Sequence, residues 1–564
     1  MKQAAPADSS TASSERMSSL LASLPTWAQP RRLVEGPESI DRAQARIEAE
    51  IERARSIPAV RWALGLLGAE SPLWVLALLI VPFAAMFITM TVGKWFTGAP
   101  FVDFDYWWHL ATGNWILDHH RVPTTDPFSW TAGGRNWIAH EWLSEAVLAL
   151  VVRAGGYAAA IVFTALMVLI GYWSLLMATR YYGMSRRLAF LVTVGLSGMF
   201  LRGGVMVVRP QVWTWAFFGI LFAVIAAHDT GRKVHLWILP PLFIIWINAN
   251  LTAFMGIGYL AIYAVDLLIR RKLDRRFLTY CGLSALALFV NYRGPILIIS
   301  ALRSYFDQNA IRYQVIFEWK HPFLNDHSML PFFISVALAP LMIWPLIQRR
   351  PRIWPALPTL IMLYSSYKAI RFVPIYGIMV FLFIGWLFWW RSDVNGVRPA
   401  VSTQPIVPKS NWWLLPTNLA VALMLLIPAA RVSSQFNHDP NAFGYPVAAT
   451  TYLIEHYPNA RIFNDYNYGG YLINRFSESG TPLKVYVDGR EEMYGDAFLR
   501  HYFDIAWGLD GWKTSFAREV FTAAIMRSDM GVASLIAADP EWQIAWRNQS
   551  YVLFVKKSLV ASGG

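Results

Sequence analysis

Along most of this chain, long runs with almost no charge alternate with short basic segments. The runs extend from Trp74 to Val92, Tyr157 to Ala178, Leu188 to Leu201, Val212 to Ala227, Leu236 to Ala249, Ala253 to Leu268 and Phe277 to Val290. Four more follow, from Met329 to Ile347, Trp354 to Tyr364, Phe372 to Trp390 and Trp412 to Ala430. A helix needs roughly 20 apolar residues to cross a bilayer, and several runs fall short of that. The pattern predicts a polytopic α-helical membrane protein with about 11 transmembrane helices, an odd count that puts the termini on opposite sides.

The segments between the runs differ. Residues 1–37 are a polar Ser/Ala/Thr/Pro tail, and Ile40, Ala43, Ile47, Ile51 and Ala54 recur at helical spacing, predicting a short amphipathic helix within a cytoplasmic region 1–73. Within the membrane domain, 74–430, the first outer loop at 94–141 is too long and too rich in Asp, His and Trp for a connector. Trp107, Trp108, Leu110, Trp115 and Ile116 suit a helix lying on the membrane, and Glu141 to Val152 a second one. Gly294 to Leu302 reads as re-entrant or interfacial.

Beyond residue 430 the polarity is mixed, and 431–564 suffices for an extracytoplasmic α/β domain. Strands are expected at Ala460 to Asn464 and Leu483 to Val487, helices at Tyr494 to Trp507 and Phe516 to Arg527, and a hairpin from Gln543 to Val555.

The net charge of +13 changes meaning once it is located. Arginines and lysines crowd the first 73 residues and alternate loops (Arg186, Arg187, Arg232, Arg270, Arg271, Arg349, Arg398), which places the N-terminus in the cytoplasm of a bacterial inner membrane and excludes nucleic acid as the partner. The Ser/Ala-rich start predicts no cleaved signal peptide, the first membrane helix supplying targeting. Cys281 is the single cysteine, so the outer domain folds without disulfides.

Candidate chemistry gathers on the outer side. Asp103-Phe104-Asp105-Tyr106-Trp107-Trp108-His109 stands where the first helix leaves the membrane, and His140-Glu141 closes the loop. In an extended chain Asp103 and Asp105 point the same way, which suits joint hydrogen bonding of a sugar or capture of a divalent cation such as Mg or Mn. One carboxylate suffices as general base; the alternative is that the acids cap the following helix.

Arg202, Arg209, Lys368 and Arg371 fall at outer helix ends, against the inside bias, where ionisable groups are expensive and guanidinium forks match phosphate. Their alternative is snorkelling to headgroups. In the outer domain Asn464, Tyr466, Asp488 and Arg490 are candidates for an acceptor glycan or protein, with an Asp488–Arg490 ion pair as the structural alternative.

The acidic loop with His109, then glycine and proline, resembles the GT-C superfamily of membrane glycosyltransferases, which includes protein O-mannosyltransferases, the aminoarabinose transferase of lipid A and oligosaccharyltransferases. It is most similar to a bacterial subgroup with acid-x-acid-x-W-W-H-L, a later R-P-Q and a C-terminal V-D-G-R. The chain departs from that subgroup at Asn248-Ala249-Asn250, in place of Asn-x-His, and at Asn291-Tyr292, in place of Asn-Pro.

The resemblance implies an inverting transferase with a polyprenyl-phosphate-linked sugar donor and a glycan, lipid or protein acceptor. Asp103 or Asp105 would be the base, or part of a metal and acceptor site, with His109 and Glu141 as supporting groups. Two other classes compete. A transporter or flippase of lipid-linked glycans predicts charges at helix midpoints and related halves, and a non-catalytic glycan-binding envelope protein leaves the acid pair without a purpose. Walker, dinucleotide, zinc and nucleophile-elbow motifs are missing.

Overall fold

The computed structural model describes residues 103–184, 192, 208–306, 310–324, 329–349, 351–394 and 444–561. The tail, the amphipathic helix, Arg202 and the runs from Trp74, Leu188 and Trp412 lie outside the described residues. Nearly all that is described belongs to one compact unit, Leu67–Trp390 with Arg398–Gly564. The protein is a helical membrane protein with a C-terminal sheet domain.

The first outer loop forms α1 (Tyr106–His119), which ends at His120 in the left-handed region. Two of the tryptophans that the sequence assigned to a membrane surface, Trp107 and Trp108, are packed inside the protein. Trp107 meets Tyr445 and Tyr471 edge to face at 5.6 and 5.3 Å, because α1 is roofed by the C-terminal domain. The expected second interfacial helix is the start of α2 (Trp142–Tyr181), kinked where Gly155 and Gly156 leave helical geometry.

Three described helices are long and apolar enough to cross a membrane: α2, α3 (Val212–Asp229) and the stretch Ile370–Trp390, most of it in the helix Val373–Val394. Leu330–Val336 and Ala339–Ile347 make a fourth only if read as one span bent by 48°. Between them α4 (Leu239–Ala249), α5 (Ala253–Ile269), α6 (Arg275–Ala287), α7 (Pro295–Phe306) and α8 (Ala356–Lys368) are shorter. The expected span from Phe277 is thus a 13-residue helix, and so is the one containing the run from Trp354.

α2 and α3 cross at glycines. A Cβ on Gly219 would run into the Gly171 backbone, and one on Gly171 into the Trp215 carbonyl. Without a hydrophobic drive between helices in lipid, such close approach supplies dispersion contact. At the far end of α3, Asp229 and Asp266 are fully buried against Arg270 and Arg352, with Arg270 NH1 2.6 Å from Asp229 Oδ1. Two aspartates and two arginines thus form a four-charge clamp.

The C-terminal domain contains α9 (Val447–His456), β1 (Ile462–Asn464), α10 (Gly469–Ser479), α11 (Asp496–Trp507), α12 (Trp512–Arg518), β2 (Ala523–Arg527), α13 (Gly531–Ala537), β3 (Trp542–Arg547) and β4 (Tyr551–Lys556). The sheet order is β1-β2-β4-β3, with β1 parallel to β2 and the hairpin antiparallel. The helix expected from Phe516 to Arg527 is half wrong. Val520 adopts φ 56° and ends it, and Ala523-Ala524-Ile525-Met526, buried on both faces, forms the inner strand β2. Leu483 to Val487 is extended, but it contributes only an isolated bridge from Val485 to Ser129 in the first outer loop.

Gly219→Val is expected to lower the thermal stability of the purified protein in detergent by about 1–3 kcal/mol, the usual cost of overpacking. Gly258→Val, where a Cβ has open space, is expected to cost much less.

Candidate functional site

The V-D-G-R motif joins the C-terminal domain to the first outer loop. Arg490 grips Asp488 with Nε and NH2, both at 2.7 Å, and Asp126 of the loop with NH1 at 2.7 Å. Tyr494 OH donates to Asp488 at 2.6 Å. The backbone N–H groups of Phe128 and Ser129 donate to Asp126 at 3.0 Å, and the Ser129 hydroxyl donates to it too. All three charged groups are buried, and the guanidinium lies 4.6 Å over the Trp137 ring. Although burial opposes ionisation, Arg490 holds Asp126 below the usual carboxylate range.

Glycines let the two parts approach. A Cβ on Gly489 would strike Asp105 Oδ1, and one on Gly470 would stand 2.8 Å from the Phe104 carbonyl. A cavity of about 620 Å³ opens beside this seam. Asp105, His109, Glu141, Arg209, Arg371, Tyr466 and Arg490, all singled out in the sequence, line it.

Asp105 is the carboxylate best placed for chemistry. Its Oδ1 accepts from Trp108 Nε1 at 3.0 Å and its Oδ2 lies 3.0 Å from Arg209 NH2. Burial pushes its carboxyl up to about 7, Arg209 opposing and Asp103 adding to the rise. Asp103 is turned to the Arg209 Nε and does not line the cavity. Arg209 also approaches Glu318 Oε2 at 3.4 Å. Burial works against its charge, yet these three carboxylates hold it more firmly protonated than usual.

Deeper in the cavity, His109 Nδ1 is 2.9 Å from Glu145 Oε1, and its Nε2 faces Glu141 Oε2 at 3.8 Å. Burial, with Arg209 and His140 nearby, keeps His109 well below its normal pKa and therefore neutral. Glu141 accepts from Asn250 Nδ2 at 2.6 Å, and burial raises it above the usual range. Asn250 and Asn248, which bonds Trp142 Nε1 at 2.8 Å, thus brace the loop.

The other sequence candidates separate. Arg371 faces the cavity and stacks 4.1 Å over the Trp319 ring. Lys368 is exposed and outside the lining, 6.0 Å over Tyr364. Asn464 is fully buried and staples β1 to the extended segment through the Val487 carbonyl and the Tyr486 N–H, both at 2.8 Å. Asp488 is committed to Arg490 and Tyr494, which matches the ion-pair alternative. His140, Asn467 and Glu491, which belong to the stretches singled out in the sequence, also line the cavity, as does Glu492, which sequence reasoning passed over. The Asp-Gly-Arg turn was the signal for the two glutamates, which follow it directly.

Asp103 and Asp105 do not fit a divalent cation in this arrangement. The Arg209 guanidinium sits where an ion would bridge them, and no three His, Cys, Asp or Glu side chains gather as a ligand set among the described residues.

No family model and no curated protein sequence matches the chain. Among solved structures it is similar to the archaeal oligosaccharyltransferase AglB from Archaeoglobus fulgidus in complex with an inhibitory peptide and a dolichol-phosphate (11% identity over 80% of this chain and 69% of that one, TM-score 0.47). It is also similar to ArnT from Cupriavidus metallidurans bound to undecaprenyl phosphate (14%, 86% and 99%, TM-score 0.43) and to arabinofuranosyltransferase AftD from Mycobacteria (12%, 86% and 40%, TM-score 0.46). These neighbours are GT-C glycosyltransferases. The A. fulgidus enzyme also has a structure in complex with Zn and sulfate. At such remote similarity, function has to be argued from the cavity itself.

Removing Arg490 leaves two buried carboxylates without their counter-ion, at a cost of about 3–5 kcal/mol. Arg490→Ala is therefore expected to expose the C-terminal domain to limited proteolysis, with Arg490→Lys in between.

Proposed function

We infer that the chain is a membrane glycosyltransferase that moves a sugar from a polyprenyl-phosphate-linked donor to an extracytoplasmic acceptor in the assembly of cell-envelope glycan. One observation carries this: a carboxylate, Asp105, and a stacked guanidinium, Arg371, face the same cavity. Base and anion holder are the two groups that sugar transfer from a phosphate requires.

In this reading the acceptor hydroxyl gives its proton to Asp105 as its oxygen attacks the anomeric carbon from the face opposite the phosphate. The bond from that carbon to the phosphate oxygen breaks, the configuration inverts, and polyprenyl phosphate leaves with its charge against Arg371. Arg209 keeps Asp103 and Asp105 in place and adds positive potential. Trp108, Tyr466 and Asn467 offer ring faces and an amide to sugar hydroxyls. No step passes through a metal.

The acceptor is a glycan, lipid or protein that enters beside the C-terminal domain, 431–564, on the extracytoplasmic face of a bacterial inner membrane. The N-terminal region, 1–73, is cytoplasmic, and the membrane domain is 74–430. His109 and Glu141 serve as supporting polar groups in the same cavity.

The test is sugar transfer by the full-length protein in lipid from a panel of polyprenyl phosphate sugars. Asp105→Asn is expected to reduce turnover by about 10²–10⁴-fold with donor binding kept; undiminished turnover in that variant would remove Asp105 as base.

A base must be ionised to act. Wild-type turnover should therefore rise about tenfold per pH unit below about 7 and level off above it. A rate that stays flat from pH 5 to 8 would contradict this assignment.

A further inference from the structure

Arg209 and Arg371 are both held by one short segment, Phe317–Trp319. Glu318 reaches Arg209 NH1 at 3.4 Å, and Trp319 lies 4.1 Å beneath Arg371. Arg312 stacks on the same indole at 4.8 Å and pairs with Glu491 of the C-terminal domain at 3.3 Å. The Ile370 N–H donates to the Lys320 carbonyl at 3.0 Å, tying the segment to the chain beside Arg371.

Glu318 is therefore a carboxylate of the cavity lining that pairs with Arg209 and stands next in the chain to the indole under Arg371. Burial opposes its charge, but Arg209 and then Arg371 hold its carboxyl below the usual range. Its side chain is 40% exposed, so it has a path to solvent. Asp103 and Asp105, by contrast, keep Arg209 from the opposite side with side chains that are 10% and 29% exposed.

We propose that Glu318 stands in for the donor's phosphate, filling the anion position between Arg209 and Arg371 until the headgroup of a lipid-linked donor displaces it. The inference rests on the glycosyltransferase reading and adds to it the residue that sets donor affinity. A sugar phosphodiester carries one negative charge, as Glu318 does, so the exchange leaves the charge of the cavity unchanged. A free phosphate brings no apolar tail to offset the displacement, so the carboxylate excludes small anions while admitting the same group on a lipid.

The experiment measures binding of a polyprenyl monophosphate to the full-length protein in nanodiscs, with inorganic phosphate as a separate arm. Glu318→Gln and Glu318→Ala are expected to tighten polyprenyl phosphate binding by about three- to tenfold. Inorganic phosphate is expected to bind these variants detectably and the wild type not at all. The gain should vanish when Arg371→Ala is added. Unchanged or weaker binding in both Glu318 variants, while Arg371→Ala alone lowers wild-type binding, overturns this inference and leaves the donor reading standing. If the wild type binds no polyprenyl phosphate, the donor reading falls and takes this one with it.

Discussion

The whole outer face depends on one buried guanidinium. Arg490 is surrounded by two carboxylates that have lost their water, and its planar fork satisfies both at once. Neither the loop that carries Asp126 nor the turn that carries Asp488 could bury its charge alone, since the desolvation of an unpaired carboxylate exceeds what local contacts return. The two regions are therefore stable only together. The cavity residues on either side of Arg490, Gly489 to Met493, are held beside the loop by that pairing.

The same economy of charge shapes the working residues. Asp105 is raised and Asp126 depressed, although both carboxylates are desolvated and both face an arginine. The difference lies in partners. Asp126 receives two backbone N–H groups, a hydroxyl and an undivided arm of Arg490, whereas Asp105 shares Arg209 with Asp103 and Glu318 and has a single indole donor. Dividing one cation among three anions leaves the anion beside the cavity only partly compensated.

Much of this was legible in the sequence, for a physical reason. Charges at the ends of apolar runs are costly, so Asp105, Glu141, Arg209 and Arg371 stand out along the chain, and they meet at one cavity. The hairpin and β1 followed from alternation and β-branched content. What stayed hidden is what depends on distant pairing. Asn464 and Asp488 look the same in sequence whether they hold a sugar or a backbone, and only burial tells that they brace the fold. Asp126 and Glu318 gave no local sign of the guanidinium groups they meet 364 and 109 residues away. The run from Phe516 reads as helical until β4 pairs with its second half.

That separation has a consequence for how the molecule is made. A ribosome adding about 5–20 residues per second needs roughly 20–70 s to get from Asp126 to Arg490, positions 364 apart. Through that interval the loop is without its guanidinium partner, its aspartate still hydrated and its tryptophans uncovered. The cavity comes into being only after the residues around Arg490 have been made, so a chain stalled before them can form its earlier helices and yet has no site.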